Sequence, residues 1–362
     1  MKAKNCFNVL VRFQVHSPCG ARGLQFGFGF AGLGSSVANS ALLSKNIEHA
    51  ASLLRAGGLV AMPTETVYGL AADAENEIAV RRIFAAKERP VDHPLIVHLA
   101  DATQLDSWAI NIPPVARKIA TAFWPGPLTI ILSRSDKAAA AVTGELATIG
   151  LRVPAHPVAL ALLRAFGGGL AAPSANRFGR VSPTTAAHVY EELGDAVDYI
   201  LNGGDCEVGV ESTILDLSND EPAVLRPGAI TATQIEAVLG RSLVDPASNA
   251  TRCSGRLESH YAPRAAVELV SQEQLASRVH TLHANGKRVA VLSESWSSDT
   301  NEIIFIPLPA SPAESARRLY SALREADALH ADIALIVPPP LEGLGVAVAD
   351  RLRKAAAKRH KV

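Results

Sequence analysis

The chain has few cysteines and none in a paired motif. Its 362 residues include cysteines at positions 6, 19, 206 and 253, and no CxxC pair. This spacing argues against a zinc finger, and the low count argues against a disulfide-bonded scaffold. Free cysteines fit a reducing compartment, so we expect a cytoplasmic protein.

Three motifs that mark common enzyme classes are also missing. The sequence contains no Walker A motif, no GxGxxG run that opens a helix and no GxSxG elbow. The glycines at 167–169 precede a predicted strand, so they do not form a dinucleotide-binding loop. These absences argue against a P-loop NTPase, a dinucleotide-dependent oxidoreductase and an α/β-hydrolase.

Acidic residues are absent from positions 1–47, which carry five basic residues. Three interpretations fit this composition: a cleaved export or transit peptide, a disordered tail, or a start site assigned too far upstream. The uncharged stretch 23–44 is long enough for a membrane span but too rich in glycine and serine, so we expect no membrane association. We favour a dispensable extension over residues 1–40, either disordered or misassigned, over a targeting segment.

The remaining composition is that of a globular protein. Hydrophobic residues make up 48% and charged residues 19%, which excludes a mainly disordered chain. The length predicts two domains or more. Lys plus Arg and Asp plus Glu are 35 each, and this neutral sum still allows a local basic face that binds nucleic acid.

Residues 41–244 predict a mixed α/β domain. Helices are expected from Asn46, after an Asn76 cap with a stripe of Ile78, Ile83 and Phe84, after Pro113-Pro114, and over 184–193 with Ser182 as its cap. Residues 63–71 are expected to be a loop that leads into the second helix. Predicted strands cover 59–62, 94–99, 128–132, 149–153, 169–172, 198–201, 212–217 and 223–226. Because several strands follow one another directly, the sheet should be mixed rather than purely βαβ.

The pattern changes near residue 245. Residues 245–264 are rich in Pro, Ser and Gly without a period, and they predict a linker. Residues 265–362 alternate strands with helices and predict a smaller, Rossmann-like three-layer α/β domain.

Three short runs could bind a ligand. Lys87-Glu88-Arg89 could clamp a phosphate, although two cations at a helix end also fit the helix dipole. Residues 173–176 (PSAN) follow a buried strand, where α/β sheets place ligands, although these residues also favour ordinary turns. Residues 63–70 (PTETVYGL) could hold a small polar ligand or serve only as caps. These residues alone indicate an anion-binding α/β protein.

Taken together, the motifs resemble those of the YrdC/Sua5 family of threonylcarbamoyl-AMP synthases. KER at 87–89 and SAN at 174–176 resemble the family's KxR and SxN signature, and GGLVAMPTETVYGLAADA, FWPGPLTIIL, VESTILDL and VLRPGAI follow family blocks in order. SHYAPR at 259–264 and GLGVAVADRLRKAA at 343–356 resemble the linker and C-terminal domain of the longer Sua5 form. The resemblance implies a YrdC-like domain built on a twisted mixed sheet with a concave basic face, followed by the Sua5 C-terminal domain.

The resemblance also implies an activity. Such proteins form threonylcarbamoyl-adenylate from L-threonine, bicarbonate and ATP and release pyrophosphate, and a separate complex transfers the group to tRNA. Mg²⁺ is expected to arrive with ATP, without a metal site built by the protein. Two alternatives stay open at this point: a non-catalytic double-stranded RNA-binding module, and a carbamoyl-adenylate enzyme of hydrogenase maturation.

Residue roles follow from the same resemblance. Lys87 and Arg89 are expected to be catalytic through charge neutralisation. Further ATP contacts are expected from His93, Thr148, Ser174, Asn176, Ser182, Arg226 and Tyr261. Threonine contacts are expected from Thr66, His98, Arg152, Ala172 and Ser212. We also expect residues 245–264 to act as a lid that brings Tyr261 to the nucleotide.

Overall fold

A computed structural model describes residues 43–246, 253, 260–297 and 302–357. The predicted extension 1–40 and most of the predicted linker lie outside the described residues. Within the described part, no helix is long and apolar enough to cross a membrane.

The first and larger sheet, as far as the structure describes it, contains ten strands. They are β1 (Leu43–Ser44), β2 (Val60–Met62), β3 (Gly69–Asp73), β4 (Ile96–His98), β5 (Leu128–Ser133), β6 (Thr148–Arg152), β7 (Leu170–Ala171), β8 (Tyr199–Leu201), β9 (Thr213–Asp216) and β10 (Ala223–Arg226). Their order is β1-β8-β2-β3-β7-β4-β6-β5-β9-β10. The sheet contains both parallel pairs, such as β4 with β6, and antiparallel pairs, such as β5 with β6, which confirms the predicted mixed sheet.

Helices pack on this sheet through apolar faces. They are α1 (Ile47–Arg55), α2 (Glu77–Lys87), α3 (Leu105–Trp108), α4 (Pro114–Phe123), α5 (Ala140–Thr143), α6 (Pro157–Phe166), α7 (Ala186–Leu193) and α8 (Ala232–Leu239), with short 3₁₀ turns at Ala102–Gln104 and Gly194–Ala196. The predicted Asn76 cap is confirmed, since its side chain accepts from the backbone N–H groups of Ile78 and Ala79.

Three local predictions in this region are wrong. Gly69–Asp73 is a strand rather than a loop into a helix, because it pairs with β2 on one side and β7 on the other. Ile78 is 76% exposed and does not belong to the apolar stripe, which contains Ile83 and Phe84. Thr185, not Ser182, caps α7 by accepting from the His188 N–H.

The second sheet has four parallel strands among the described residues. They are β11 (Ala266–Leu269), β12 (Val289–Ser293), β13 (Ile304–Pro307) and β14 (Ile333–Ile336), in the order β11-β14-β12-β13, and the helices are α9 (Gln272–Ala284), α10 (Pro312–Ala328) and α11 (Leu344–Ala356). Val289 and Val291 pack with α9, whereas Ala290 and Leu292 pack with α10 and α11. Helices therefore cover both faces, which confirms the predicted three-layer arrangement.

The two sheets are joined by a shared apolar cluster. Val67, Val181 and Val210 from the first sheet's loops pack in the same cluster as residues of α10 and α11. Gly209 lies against α10 so closely that a Cβ there would be 2.5 Å from the Ala316 carbonyl oxygen. The second domain therefore rests directly on the loops that follow the first sheet's strands.

Candidate functional site

A cleft of about 540 Å³ opens among these loops. It lies where β4, β6, β7 and β10 end and where residues 64–69 connect β2 to β3. Its lining residues are Thr64, Thr66, Val67, Gly69, Arg89, Ile96, His98, Arg152, Ala172, Pro173, Ser174, Glu211, Ser212, Arg226, His260 and Tyr261. Nine of the fourteen residues predicted for the site are in this set. Ligands of α/β proteins bind at such strand ends.

Two predicted threonine contacts, Thr66 and His98, lie next to Arg152, the last residue of β6. Its Nη1 donates to Thr66 Oγ1 at 3.0 Å, its Nη2 pairs with Glu65 Oε1 at 2.7 Å, and its Nε donates to a backbone carbonyl. Both partners of the ion pair are buried, with side-chain exposures of 5% and 7%. A guanidinium held on several sides is pre-oriented, and this geometry suits recognition of a carboxylate.

His98 lies beside Arg152, because the two residues are paired across β4 and β6. Burial, reinforced by the charge of Arg152, lowers the pKa of His98 to about 3. The imidazole is therefore neutral near pH 7. Its buried Nδ1 has no hydrogen-bond partner among the residues that the structure describes, and the ring lines the cleft.

Ser212 and Arg226 form a second polar pair at the ends of β9 and β10. Arg226 donates from Nη2 to Ser212 Oγ and from Nε to the Ser212 carbonyl, both at 3.0 Å. Ser212 Oγ also lies 2.8 Å from Thr129 Oγ1. Arg226 is only 3% exposed, so its charge acts in a water-poor environment where it interacts strongly with an anion.

Lys87 and Arg89, the predicted phosphate clamp, lie at the end of α2 but take different positions. Glu88 between them adopts a left-handed conformation with φ 53°, which ends the helix. Arg89 lines the cleft, donates to the Pro94 carbonyl and lies 5.5 Å from the Phe178 ring centroid. Burial lowers the pKa of Arg89 to about 10, so it keeps its charge at neutral pH.

Lys87 is buried and does not line the cleft. Its Nζ donates to the carbonyl oxygens of Ser174 and Asn176, and burial, with the nearby charge of Arg89, lowers the lysine's pKa well below its ordinary value. The geometry therefore places Lys87 as the support of residues 174–176. Ser174 lines the cleft in turn, whereas Asn176 Nδ2 donates to the carbonyls of Arg177 and Arg180.

Three further predicted ATP contacts also lie outside the cleft lining. His93 packs its ring edge-on against Phe178 at 5.3 Å, and Thr148 begins β6 at the end opposite Arg152. Ser182 is fully buried and donates to Glu211 Oε1 at 2.6 Å. The assigned roles of these residues stay predictions.

The structure adds groups that the predicted set lacks. Glu65, Glu211 and His260 contact or line the cleft, and Phe178 packs on Arg89. Burial opposes the ionisation of Glu211, but the charges of Arg351 and Arg226, with hydrogen bonds from Arg351 and Ser182, lower its pKa to about 2. The signal for Glu211 was present in the motif VESTILDL, and His260 belongs to the SHYAPR run.

Tyr261 lies at the cleft, and its predicted contact with the nucleotide stays a prediction. It is 1% exposed, lines the cleft and stacks on Tyr320 of α10 with the ring centroids 5.9 Å apart. The neighbouring Ala262 donates its N–H to the Gly179 carbonyl at 2.9 Å. Residues 247–252 and 254–259 of the predicted lid lie outside the described residues, so its movement stays a prediction.

The cleft at the strand ends of this mixed sheet contains buried arginines, hydroxyl groups and a neutral imidazole. This arrangement defines an α/β protein with an anion-binding cleft. Two family models match the chain: Sua5_yciO_yrdC, described as "Telomere recombination", over residues 52–228, and the threonylcarbamoyl-AMP synthase C-terminal domain over residues 230–357.

Full-length relatives agree with both matches. The threonylcarbamoyl-AMP synthases of Pyrococcus abyssi and Bacillus subtilis are each 42% identical to this chain; the alignments cover 86% of it and 94% and 93% of the relatives. The crystal structure of P. abyssi Sua5 with L-threonine superposes with a TM-score of 0.82 at 39% identity, covering 87% of this chain and 97% of that one. The chain belongs to the Sua5/YciO/YrdC family, in the form that carries the Sua5 C-terminal domain.

Proposed function

We propose that this chain is an L-threonylcarbamoyladenylate synthase. It combines L-threonine, bicarbonate and ATP and releases pyrophosphate. The observation that carries the proposal is the set of three buried arginines, Arg89, Arg152 and Arg226, in one cleft with Thr66 and other hydroxyl groups. One guanidinium suits the threonine carboxylate, and two suit the polyphosphate of ATP.

Arg152 holds the carboxylate of threonine in this proposal. Thr66 and Ser212 offer hydroxyl groups to the amino acid, Ala172 lies along it, and His98 presents a neutral ring that does not repel its ammonium group. The first reaction joins the threonine amine to bicarbonate, and a carbamate and water are formed. For this step the protein supplies orientation, which lowers the entropic part of the barrier.

The second reaction takes place at the α-phosphate. A carbamate oxygen attacks phosphorus, the bond to the bridging oxygen of the β-phosphate breaks, and pyrophosphate leaves with its electron pair. Arg89 and Arg226 neutralise the charge that accumulates on the phosphate oxygens. Lys87 contributes by holding residues 174–176 at the edge of the cleft, and the Tyr261 ring covers the nucleotide.

Mg²⁺ would enter with ATP and neutralise its phosphates. Within the described part of the chain, no group of three or more His, Cys, Asp or Glu residues could hold a metal ion. The carboxylate that lines the cleft, Glu211, already accepts hydrogen bonds from Arg351, Tyr320 and Ser182. The donor set therefore favours a metal ion carried by the substrate over one held by the protein.

A separate complex then transfers the threonylcarbamoyl group to an adenosine next to the anticodon of tRNA. In this proposal tRNA is an indirect partner, and the reaction takes place in the cytoplasm. A purely RNA-binding module would need a basic face but no arrangement such as Arg152 with Thr66 and Glu65.

Pyrophosphate release tests the proposal directly. The full chain is incubated with Mg²⁺-ATP, and threonine and bicarbonate are left out one at a time, while mass spectrometry follows the adenylate. We expect pyrophosphate release only when all substrates are present. Release that is independent of threonine, or no release under any condition, would contradict the proposed reaction.

A further inference from the structure

One side chain of the C-terminal domain, Arg351 of α11, extends into the wall of the cleft. It is fully buried, although arginine is among the residues that proteins rarely bury. Its Nε donates to Glu211 Oε2 at 2.7 Å, and its Nη2 donates to the Pro227 carbonyl at 3.1 Å. Its Nη1 pairs with the neighbouring Asp350 at 2.6 Å. One guanidinium thus spans from its own helix to two loops of the first domain.

In each of these two loops, the residue that Arg351 contacts is adjacent in sequence to a cleft residue. Glu211 precedes Ser212, and Pro227 follows Arg226, while Arg226 itself donates to Ser212. Arg351 therefore fixes the spacing between the β9 and β10 ends from outside the first domain. A displacement of either loop would move the Arg226 guanidinium relative to the cleft.

The same guanidinium also contacts the ring of Tyr261. Its Cζ lies 5.2 Å from the ring centroid, which is a cation–π geometry. Tyr261 also stacks on Tyr320, whose hydroxyl donates to Glu211 Oε2 at 2.8 Å. Arg351, Glu211, Tyr320 and Tyr261 thus form a closed ring of contacts, which we term the interdomain cluster.

Charge balance shows what Arg351 does for the cleft. Glu211 is a buried carboxylate between two arginines, Arg351 and Arg226, and both stabilise its charge. An uncompensated buried carboxylate is costly. Without Arg351, Arg226 would be the arginine that remains to balance the charge of Glu211. Arg226 would then turn from Ser212 towards Glu211, away from a bound phosphate.

We propose that Arg351 is a positioning residue for the nucleotide half of the cleft. Through the interdomain cluster, the C-terminal domain sets the affinity of the first domain for ATP. The inference rests on the proposed function, because it takes ATP as the ligand near Arg226 and Tyr261. In this proposal the C-terminal domain affects the reaction through Arg351, and the sheet of that domain does not need to contact the substrate.

Three variants of the full chain test this role. Arg351→Met removes the guanidinium, Arg351→Lys keeps a charge but loses the planar fork, and Arg353→Met is the matched control on the same helix. Arg353 is exposed and donates only within its helix, to the Ala349 carbonyl, as far as the contacts of the structure show. Steady-state pyrophosphate release gives KM for ATP and for threonine, and calorimetry with a non-hydrolysable ATP analogue gives the binding affinity.

We expect Arg351→Met to raise KM for ATP by about tenfold or more, which is what the loss of one charge-assisted contact produces. KM for threonine should rise much less, because Ser212 next to Glu211 is one threonine contact among several, whereas Arg152 and Thr66 lie away from Arg351. Arg351→Lys should fall between this variant and the unmodified chain, and Arg353→Met should match the unmodified chain. If Arg351→Met does not fold, Arg351→Lys and Tyr320→Phe provide the same comparison.

Two results would show that Arg351 has only a structural role and would overturn the inference. One is an equal rise of both KM values, and the other is a lowered melting temperature with unchanged affinity for the ATP analogue, since either indicates a structural role only. The unmodified chain could release pyrophosphate while Arg351→Met behaves like Arg353→Met. This result would refute the inference and leave the proposed function intact. An unmodified chain that neither binds the analogue nor releases pyrophosphate would refute both.

Discussion

Replacing Arg152 by methionine separates the recognition of threonine from the stability of the fold. The change keeps most of the side-chain length and removes the guanidinium. Glu65 then loses its 2.7 Å ion-pair partner and Thr66 loses a 3.0 Å hydrogen bond. Glu65 is itself buried, so after the substitution its carboxylate has lost this cationic partner and keeps the hydrogen bond from the Ala155 N–H.

Two different magnitudes follow from this geometry. Removing one partner of a buried ion pair costs about 3–5 kcal/mol of unfolding free energy. Losing one charge-assisted contact to the threonine carboxylate costs about 1.5–3 kcal/mol, which corresponds to a rise of roughly 10- to 150-fold in KM for threonine. KM for ATP should change much less.

The double variant Glu65→Gln/Arg152→Met distinguishes the two effects. Glutamine removes the uncompensated charge, so we expect urea unfolding to show that most of the lost stability returns. KM for threonine, measured by pyrophosphate release at saturating ATP, should stay as high as in Arg152→Met. Arg117→Met is the control, since its ion pair with Asp106 is exposed. If the double variant also recovers the normal KM for threonine, Arg152 acts only through the fold.

Two further predictions concern the contact between the domains. Gly209→Ala should lower the unfolding free energy by about 1–3 kcal/mol more than Gly204→Ala. Both glycines have positive φ, but of the two it is Gly209 whose Cβ would meet the Ala316 carbonyl. Equal losses of stability in urea titrations would show that backbone strain alone is responsible. The pKa of Glu211 is lowered from 4.5 to about 2 in the folded chain, so its stabilising effect is complete above pH 4.5 and is lost as the pH falls towards 2. Stability should therefore fall more steeply over this range in the unmodified chain than in Glu211→Gln, and parallel curves would contradict the assignment.

The sequence predicts most strands of the fold because they are short apolar runs bounded by turn residues. The predicted strands at 128–132 and 198–201 are examples, and the structure has buried strands at both places. The strand Gly69–Asp73 was missed because its small residues carry a weak strand signal, and what stabilises it is pairing with β2 and β7. Such long-range pairing is not visible in a local pattern.

The site shows the same division between local and distant information. The roles of Arg152 and Arg226 came from the resemblance to the YrdC/Sua5 family. The sequence pattern supports them, because both residues lie at or next to the end of a predicted strand, where ligands bind. The hydrogen bond between Ser182 and Glu211 could not be predicted, because Glu211 lies 29 residues further along the chain. The local Ser-Pro pair instead favours a helix cap. The sequence could not show that Lys87 and Arg89 take different positions. The partners of Lys87 are backbone carbonyls, which a side-chain motif does not reveal.

The two imidazoles in the cleft have a consequence for how the reaction responds to pH. Burial lowers the pKa of both His98 and His260 to about 3. A group with so low a pKa is a poor proton acceptor at neutrality, so neither ring suits the role of general base. The ammonium group of threonine has to lose a proton before its nitrogen can form the carbamate. The increase of the reaction rate with pH then reflects deprotonation of the threonine amine. The midpoint of this increase should stay the same when either histidine is replaced by glutamine.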